Sequence, residues 1–495
     1  MSNIKVNTLT SYISQGYAAI IGIIVMPFLF SILGSDAFGL IGFFAVLQII
    51  INLFGSGFTP TIAREIARSN SKHQNSQLIS ITRSFETIFQ VLLCFIIVLA
   101  YFFSPWFSES WFHSDMPYLM LSEIIFMIFI ICAIRFQSVL YLSVLRGYED
   151  FFWLNSTAII FNTFRFPVSF LIVYFYPDIK LYFYWQLIIS ILELVVLKIR
   201  TRKLLGFSSW RPGYFNLTNI KALKDFAKAV TITAIISVTI AQTDKLIMSN
   251  VLSLSDYGYF TICMMLSNGI LMLGYPVGTV LMPRLTSLHA NGKSIEFSNL
   301  YIKFTKFICI FIVPGAVVIA GYSNNVVYLF TSSSEAATWG GSVLNYYALG
   351  NAFLIVAGFQ YYQQVAKGEL KYHVRYSLGL LVASLPLIFI FGYQYGAIAV
   401  AIIWFVFRLI SFVFWVPYIH KKLKTVKYLP WLFQGVVPSA AICSISYAFI
   451  KLNDDIIHDK ILLLAILSIS YFFIVSCCLL SYKVSDKLKL KLRLH

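Results

Sequence analysis

The chain has 495 residues, 59% of them apolar and only 12% charged, about half the charged fraction of an ordinary soluble domain. So little charge cannot cover a water-facing surface, and 46 Phe, 30 Tyr and 9 Trp exclude a disordered chain. Apolar runs continue from end to end, which leaves a polytopic integral membrane protein. Its net charge of +17 reads as loop bias and not as nucleic-acid affinity.

A bilayer core of about 30 Å needs roughly 20 apolar residues in a helix. Runs of that order predict spans at 9–33, 38–60, 84–103, 118–142, 153–175, 181–198, 229–251, 257–282, 304–322, 341–366, 374–392, 396–418, 431–450 and 461–482. The first has no small-residue cleavage site behind a short apolar core, so it is expected to be retained. The last pair is the weakest, because Pro438 breaks 431–450. Fourteen spans are expected, with twelve as the alternative.

With the amino terminus taken as cytoplasmic, thirty Lys and Arg fall in inward segments. Only Lys180, Lys451 and Lys460 fall outside, and four lie within spans. That bias supports an even span count and places both termini in the cytoplasm. The outward loops, the longest near 104–117 and 323–340, are too short for a folded catalytic domain. The basic stretch near 199–228 reads as a connector.

Landmarks recur at a constant offset. Asp36 in Ser35–Gly39 answers Asp256 in Ser255–Gly258, and Arg64 answers Arg284, both at 220. Gly147 answers Gly368 at 221, and Arg202 answers Lys421 at 219. Six spans separate the copies, so both start on the same side. That pattern predicts a parallel repeat about the membrane normal, with a cavity between two lobes. The expected fold is an all-α membrane protein of two six-helix lobes, 1–205 and 229–425. They are joined by a cytoplasmic connector, 206–228, and followed by an appended pair of spans with a basic tail, 426–495.

Charges inside spans each cost about 2.5–3.5 kcal/mol at a helix centre. The basic ones are Arg135, Arg165, Lys245 and Arg408, and the clearest acids are Asp244 and Glu193. Arg165 and Arg408 sit near mid-bilayer. Lys245 is close enough to its outer end to snorkel. Asn155, Asn162, Arg165 and Ser169 share a helical face, as do Gln360, Gln363, Gln364 and Lys367, and Thr233, Ser237 and Asp244. Such stripes read either as cavity lining or as helix–helix contacts made by small polar groups. Asp244 and Lys245 are adjacent, so their side chains are expected to diverge by about 100° and not to pair. A net positive interior suits an anion, and the guanidinium fork suits a diphosphate. Arg135, Arg165, Arg408, Lys245, Asn162, Gln360 and Gln364 are the candidate substrate-binding residues. Asp244 and Glu193 are the candidates for ion coupling.

Ala290–Ser294 (ANGKS) is not a phosphate loop, because Ser287 stands where the first Gly is needed. The seven Cys lie in or beside apolar runs without metal-ligand spacing, and no HxxxH or GxSxG occurs. Neither an enzyme nor a cofactor or metal site is expected.

Several segments carry a resemblance. They are Leu33–Gly39 (LGSDAFG), Pro60–Arg68 (PTIAREIAR), Gln242–Lys245 (QTDK), Leu252–Tyr259 (LSLSDYGY), Pro283-Arg284 and the Gly147 turn. On them the chain resembles the Wzx-type O-antigen flippases of the polysaccharide transporter family, within the multidrug/oligosaccharidyl-lipid/polysaccharide exporter superfamily. The resemblance covers about residues 1–425. It implies a two-lobed helical bundle with a cationic lumen in the bacterial inner membrane. It implies alternating-access transfer of an undecaprenyl-diphosphate-linked oligosaccharide, with polysaccharide assembly proteins as candidate partners. Twelve spans are usual there, so the last pair is a departure. Two alternatives remain. A cation-coupled multidrug exporter would want a more acidic interior, and a glycan polymerase or ligase would want a large basic external loop.

Overall fold

The computed structural model describes residues 4–56, 59, 62–66, 75–206, 224–452 and 455–492. Much of the expected connector, and part of the Pro60–Arg68 segment, lie outside the described residues. The described chain is helical almost throughout, and its one β-type contact is an isolated bridge between His113 and Ser253. The principal helices are α1 (Ile4–Ser56), α2 (Asn75–Trp106), α3 (Tyr118–Gly147), α4 (Phe151–Phe175), α5 (Ile179–Leu205), α6 (Lys224–Val251) and α7 (Leu254–Ala290). They continue with α8 (Ser294–Gly321), α9 (Ser323–Thr331), α10 (Ser334–Lys367), α11 (Lys371–Leu423), α12 (Tyr428–Lys451) and α13 (Lys460–Leu492).

Among the described residues, eleven helices are long and apolar enough to cross a membrane. Two of these hold two predicted runs each, joined at a glycine. Gly34 takes φ 81°, ψ 179° within α1, and Gly396 takes φ 66°, ψ −153° within α11. Such angles are open essentially to glycine alone. With those bends and with α6, each of the fourteen predicted runs has a helical segment of its own. The chain is an all-α multi-pass membrane protein.

The surface supports the same reading. Val91, Phe95, Val98, Tyr101 and Phe102 of α2 are exposed, as are Phe389 and Tyr393 of α11 and Phe472 and Phe473 of α13. Exposed apolar rows on successive turns suit acyl chains, while helical backbone satisfies its own polar groups there.

The chain forms two compact units, Met1–Gly258 and Tyr259–His495. In the first, α3 is central. Its Ile124, Ile128, Ile131, Phe136 and Leu140 are fully shielded. The Phe136 ring stacks on Phe89 of α2 at 4.6 Å. Tyr141 donates a 2.6 Å hydrogen bond to Glu86, which also pairs with Lys198 and Arg202 of α5. Helix α6 packs on α1 in this same unit.

The second unit is built round α8, α10 and α12. Trp431 is fully buried, stacked on His420 at 4.9 Å, and donates to Thr305 Oγ1 at 2.9 Å. The appended pair is anchored. Cys443 and Ile450 of α12 and Ile474, Cys478 and Tyr482 of α13 form one core with Ile310, Val317 and Val318 of α8. Tyr482 also donates to the Gly435 carbonyl at 2.6 Å.

Candidate functional site: a guanidinium pair in the first unit

Pro167 cannot donate a backbone hydrogen bond, and α4 meets this by widening to a π-helical turn over Phe164–Val168. The carbonyls of this turn are met from α5. Trp185 Nε1 donates to the Phe164 carbonyl at 2.8 Å, and Gln186 Nε2 to the Arg165 carbonyl at 2.9 Å. Ser169 Oγ also donates to the Arg165 carbonyl, at 2.5 Å. The turn therefore fixes Arg165 against α5.

From there Arg165 Nη2 reaches Glu193, with which it forms an ion pair; both side chains are mostly buried, at 15% and 13% exposure. Arg135 of α3 enters the same cluster. Its Nη2 donates to Gln186 Oε1 at 2.8 Å and its Nε to Ser190 Oγ at 3.0 Å. Its guanidinium lies 4.8 Å from the centroid of the Phe44 ring, within cation–π range. Gln186, Ser190 and Glu193 follow at i, i+4 and i+7, so one face of α5 supplies every α5 partner. Two guanidinium groups and one carboxylate leave the cluster with one net positive charge, held by neutral acceptors.

Sequence reasoning singled out Arg135, Arg165 and Glu193 separately, and the structure brings them together. It missed Gln186, Ser190 and Phe44. The α5 spacing with Glu193 was the available signal for the first two; nothing in the sequence pointed to Phe44.

The other candidates lie elsewhere. Asn162 is half-buried on α4. Asn155 of its expected stripe is engaged by α1, donating to Thr10 Oγ1 at 3.1 Å and Ser11 Oγ at 2.9 Å. Gln360 and Gln364 are buried in α10 of the second unit and hydrogen-bond each other. Beside them Gln363 is fully buried, and its amide meets no partner among the described residues. Arg408, also in the second unit, is buried with its guanidinium 4.1 Å from the Trp404 ring centroid.

One expectation is corrected. Asp244 and Lys245 do pair: Lys245 Nζ lies 3.1 Å from Asp244 Oδ1 and also donates to the Ala241 carbonyl at 2.7 Å. Divergent Cβ directions do not prevent this. The four-carbon lysine stem folds back along its own helix and brings the ammonium over the preceding carboxylate.

Residues 4–289 match the family described as polysaccharide biosynthesis protein. The chain belongs to that family. No curated protein matches it significantly. Among solved structures, this family member is similar to the lipid II flippase MurJ in an inward closed conformation. The TM-score is 0.73 at 17% identity, covering 99% of this chain and 100% of that one. It is also similar to an inward-facing multidrug resistance MATE transporter of the MOP superfamily. There the TM-score is 0.61 at 14% identity, covering 82% of this chain and 95% of that one. A Vibrio cholerae MATE transporter, VcmN, matches at a TM-score of 0.52 and 13% identity, over 83% of this chain and 97% of that one. At such identities the likeness establishes the fold. Coverage of 99% takes in the C-terminal pair, which thus has a counterpart in the lipid II flippase structure.

Proposed function

We propose that the protein is a flippase that carries an undecaprenyl-diphosphate-linked oligosaccharide, an O-antigen repeat unit or a related polysaccharide precursor, across the bacterial inner membrane by alternating access. Both termini would lie in the cytoplasm. The observation that carries this reading is the mostly buried Arg135–Arg165–Glu193 cluster with its one surplus positive charge. Retaining such a charge within apolar helices is costly unless an anion shares it. Family membership and a fold shared with a lipid II flippase support the same class of cargo. Arg135 and Arg165 would hold the diphosphate, with Arg408, Lys245, Asn162, Gln360 and Gln364 as further contacts, while the polyprenyl tail stays in lipid. The Lys245–Asp244 pair weakens the case for Lys245 as a free cation.

A direct test uses proteoliposomes containing a fluorescent undecaprenyl-diphosphate oligosaccharide and a membrane-impermeant quencher. Protein-dependent loss of the protected signal, abolished by Arg135→Ala or Arg165→Ala, is expected. Efflux of a lipophilic cation without movement of the lipid would instead establish the multidrug-exporter alternative.

A further inference from the structure

We propose that Glu193 is a built-in substitute for the cargo anion. A diphosphate displaces its carboxylate from Arg165, and it does so together with a proton. This inference rests on the reading of the chain as a transporter of a lipid-linked anion, and it adds how that site is controlled.

Three observations lead to it. First, Glu193 engages Arg165 through Nη2 alone, while Arg165 Nε is shielded and meets no acceptor among the described residues. A guanidinium presents Nε and Nη2 as a fork that matches two oxygens; here half of that fork is idle. Second, the partners of Arg135 are Gln186 Oε1, Ser190 Oγ and the face of Phe44, all neutral. Its charge is solvated, not cancelled. Third, Gln186 bonds both to Arg135 and to the backbone of Arg165, so the two guanidinium groups are held as one preorganised unit.

The charges then decide the sign. A diphosphate esterified at both ends carries two negative charges. Arg135 and Arg165 together carry two positive ones. With Glu193 ionised, the loaded cluster would hold an unmatched negative charge in an apolar setting, with carboxylate against phosphate. With Glu193 protonated, the loaded cluster is neutral. Other groups do not alter this count. The titratable groups near Arg135 are Arg165, Glu193, Cys132 and Tyr182, the last two being neutral. The next charges along α5 are Lys198, Arg200 and Arg202; the first and last share Glu86, and Arg200 pairs with Asp150.

Diphosphate and proton therefore bind with positive linkage, and each raises the affinity of the other by the same factor. Outward transfer driven by inward proton flow requires the reverse, a proton displaced by cargo. Glu193 has the wrong sign for that exchange, so the coupling group of an antiporter would lie elsewhere.

The test measures binding of two diphosphates esterified at both ends, a water-soluble nucleoside diphosphate sugar and an undecaprenyl diphosphate sugar, to the full-length protein in detergent from mildly acidic to mildly alkaline pH, a range in which neither probe changes its own charge. In the natural protein, binding is expected to strengthen as pH falls, by up to about tenfold per pH unit for one proton taken up. Glu193→Gln is expected to bind more tightly at neutral pH and to lose the pH dependence, while Arg165→Gln loses affinity at every pH. Tighter binding of the lipid than of the soluble diester identifies the lipid-linked headgroup as the ligand; equal binding identifies a free diphosphate. Binding by the natural protein that ignores pH, or a folded Glu193→Gln no tighter than the natural protein, overturns the proposal. Should Glu193→Gln fail to fold, the pH profile of the natural protein decides by itself. A protein that binds diphosphate in this way yet moves no lipid in vesicles refutes the flippase reading and leaves this one standing.

Discussion

Ser35 and Ser255, 220 residues apart, share a 2.6 Å hydrogen bond between their hydroxyls. That separation is the offset at which the sequence landmarks recur, and both residues lie in the first compact unit. The backbones beside them are equally close. A Cβ on Gly258 would overlap the Ser35 carbonyl oxygen, and one on Gly39 would overlap the Leu254 carbonyl oxygen. The segment after α2 closes over the seam. Leu254 N donates to the His113 carbonyl at 2.8 Å, and Asn250 Nδ2 to the Trp111 carbonyl at 3.0 Å.

Replacement of Gly39 or Gly258 by Ala should open this seam. Overpacking of a close contact costs about 1–3 kcal/mol, here against backbone oxygens that cannot swing aside. Thermal unfolding in detergent should show a lowered midpoint for each, and the double variant should lose less than the sum, because both act on one contact.

A Ser35→Cys/Ser255→Cys double variant should cross-link under mild oxidation. If alternating access parts α1 from α7, this seam opens in each cycle. The cross-linked form should then retain diphosphate binding and lose lipid movement, with recovery on reduction. Unimpaired movement by the fully cross-linked protein would show that the seam is a permanent joint.

Gly34→Ala separates backbone strain from crowding. A Cβ there meets nothing within 4 Å, yet φ is +81°. The whole cost, about 1–3 kcal/mol, is conformational. It should appear in the unfolding midpoint, and Gly34→Asn should not restore stability, because ψ 179° lies outside the left-handed helical region that Asn tolerates.

Gln186 joins the two arginines. Gln186→Ala leaves a buried guanidinium donor and the Arg165 carbonyl short of partners, at a cost of about 1–3 kcal/mol. Gln186→Glu supplies Arg135 with a carboxylate and cancels the surplus charge, while it forfeits the donor to the Arg165 carbonyl, which keeps Ser169 Oγ. That variant should remain folded and bind diphosphate more weakly than the natural protein. Unfolding curves and titration with a diphosphate diester separate the two effects.

Trp431→Ala should cost about 3–5 kcal/mol. The indole is fully buried, stacked on His420 and hydrogen-bonded to Thr305. An unfolding midpoint close to that of the natural protein would show that α12 is dispensable to the second unit.

Apolar run length and charge bias made the helices legible, and the glycine bends fall where the sequence had one run give way to the next. The quoted sequence segments also gained a physical meaning. Gly147 is small because a Cβ there would meet the Ala63 carbonyl oxygen and Ile66 Cβ, each at 2.7 Å. The ion pair of Arg165 and Glu193 was not legible, because partners on different helices have no fixed spacing. The widened turn at Pro167 was hidden for a related reason: it depends on Trp185 and Gln186 arriving to donate to the turned carbonyls. The misreading of Asp244 and Lys245 came from treating side chains as directions and ignoring their reach.

The bond between Arg165 and Glu193 also bears on the unloaded protein. Any carrier must reset after releasing its cargo, and a bare guanidinium would resist that passage through hydrocarbon. If this protein is such a carrier, the counter-charge of Arg165 travels on the neighbouring helix, and the vacant form turns round with the single surplus charge of Arg135, held by Gln186 and Ser190, and not with two.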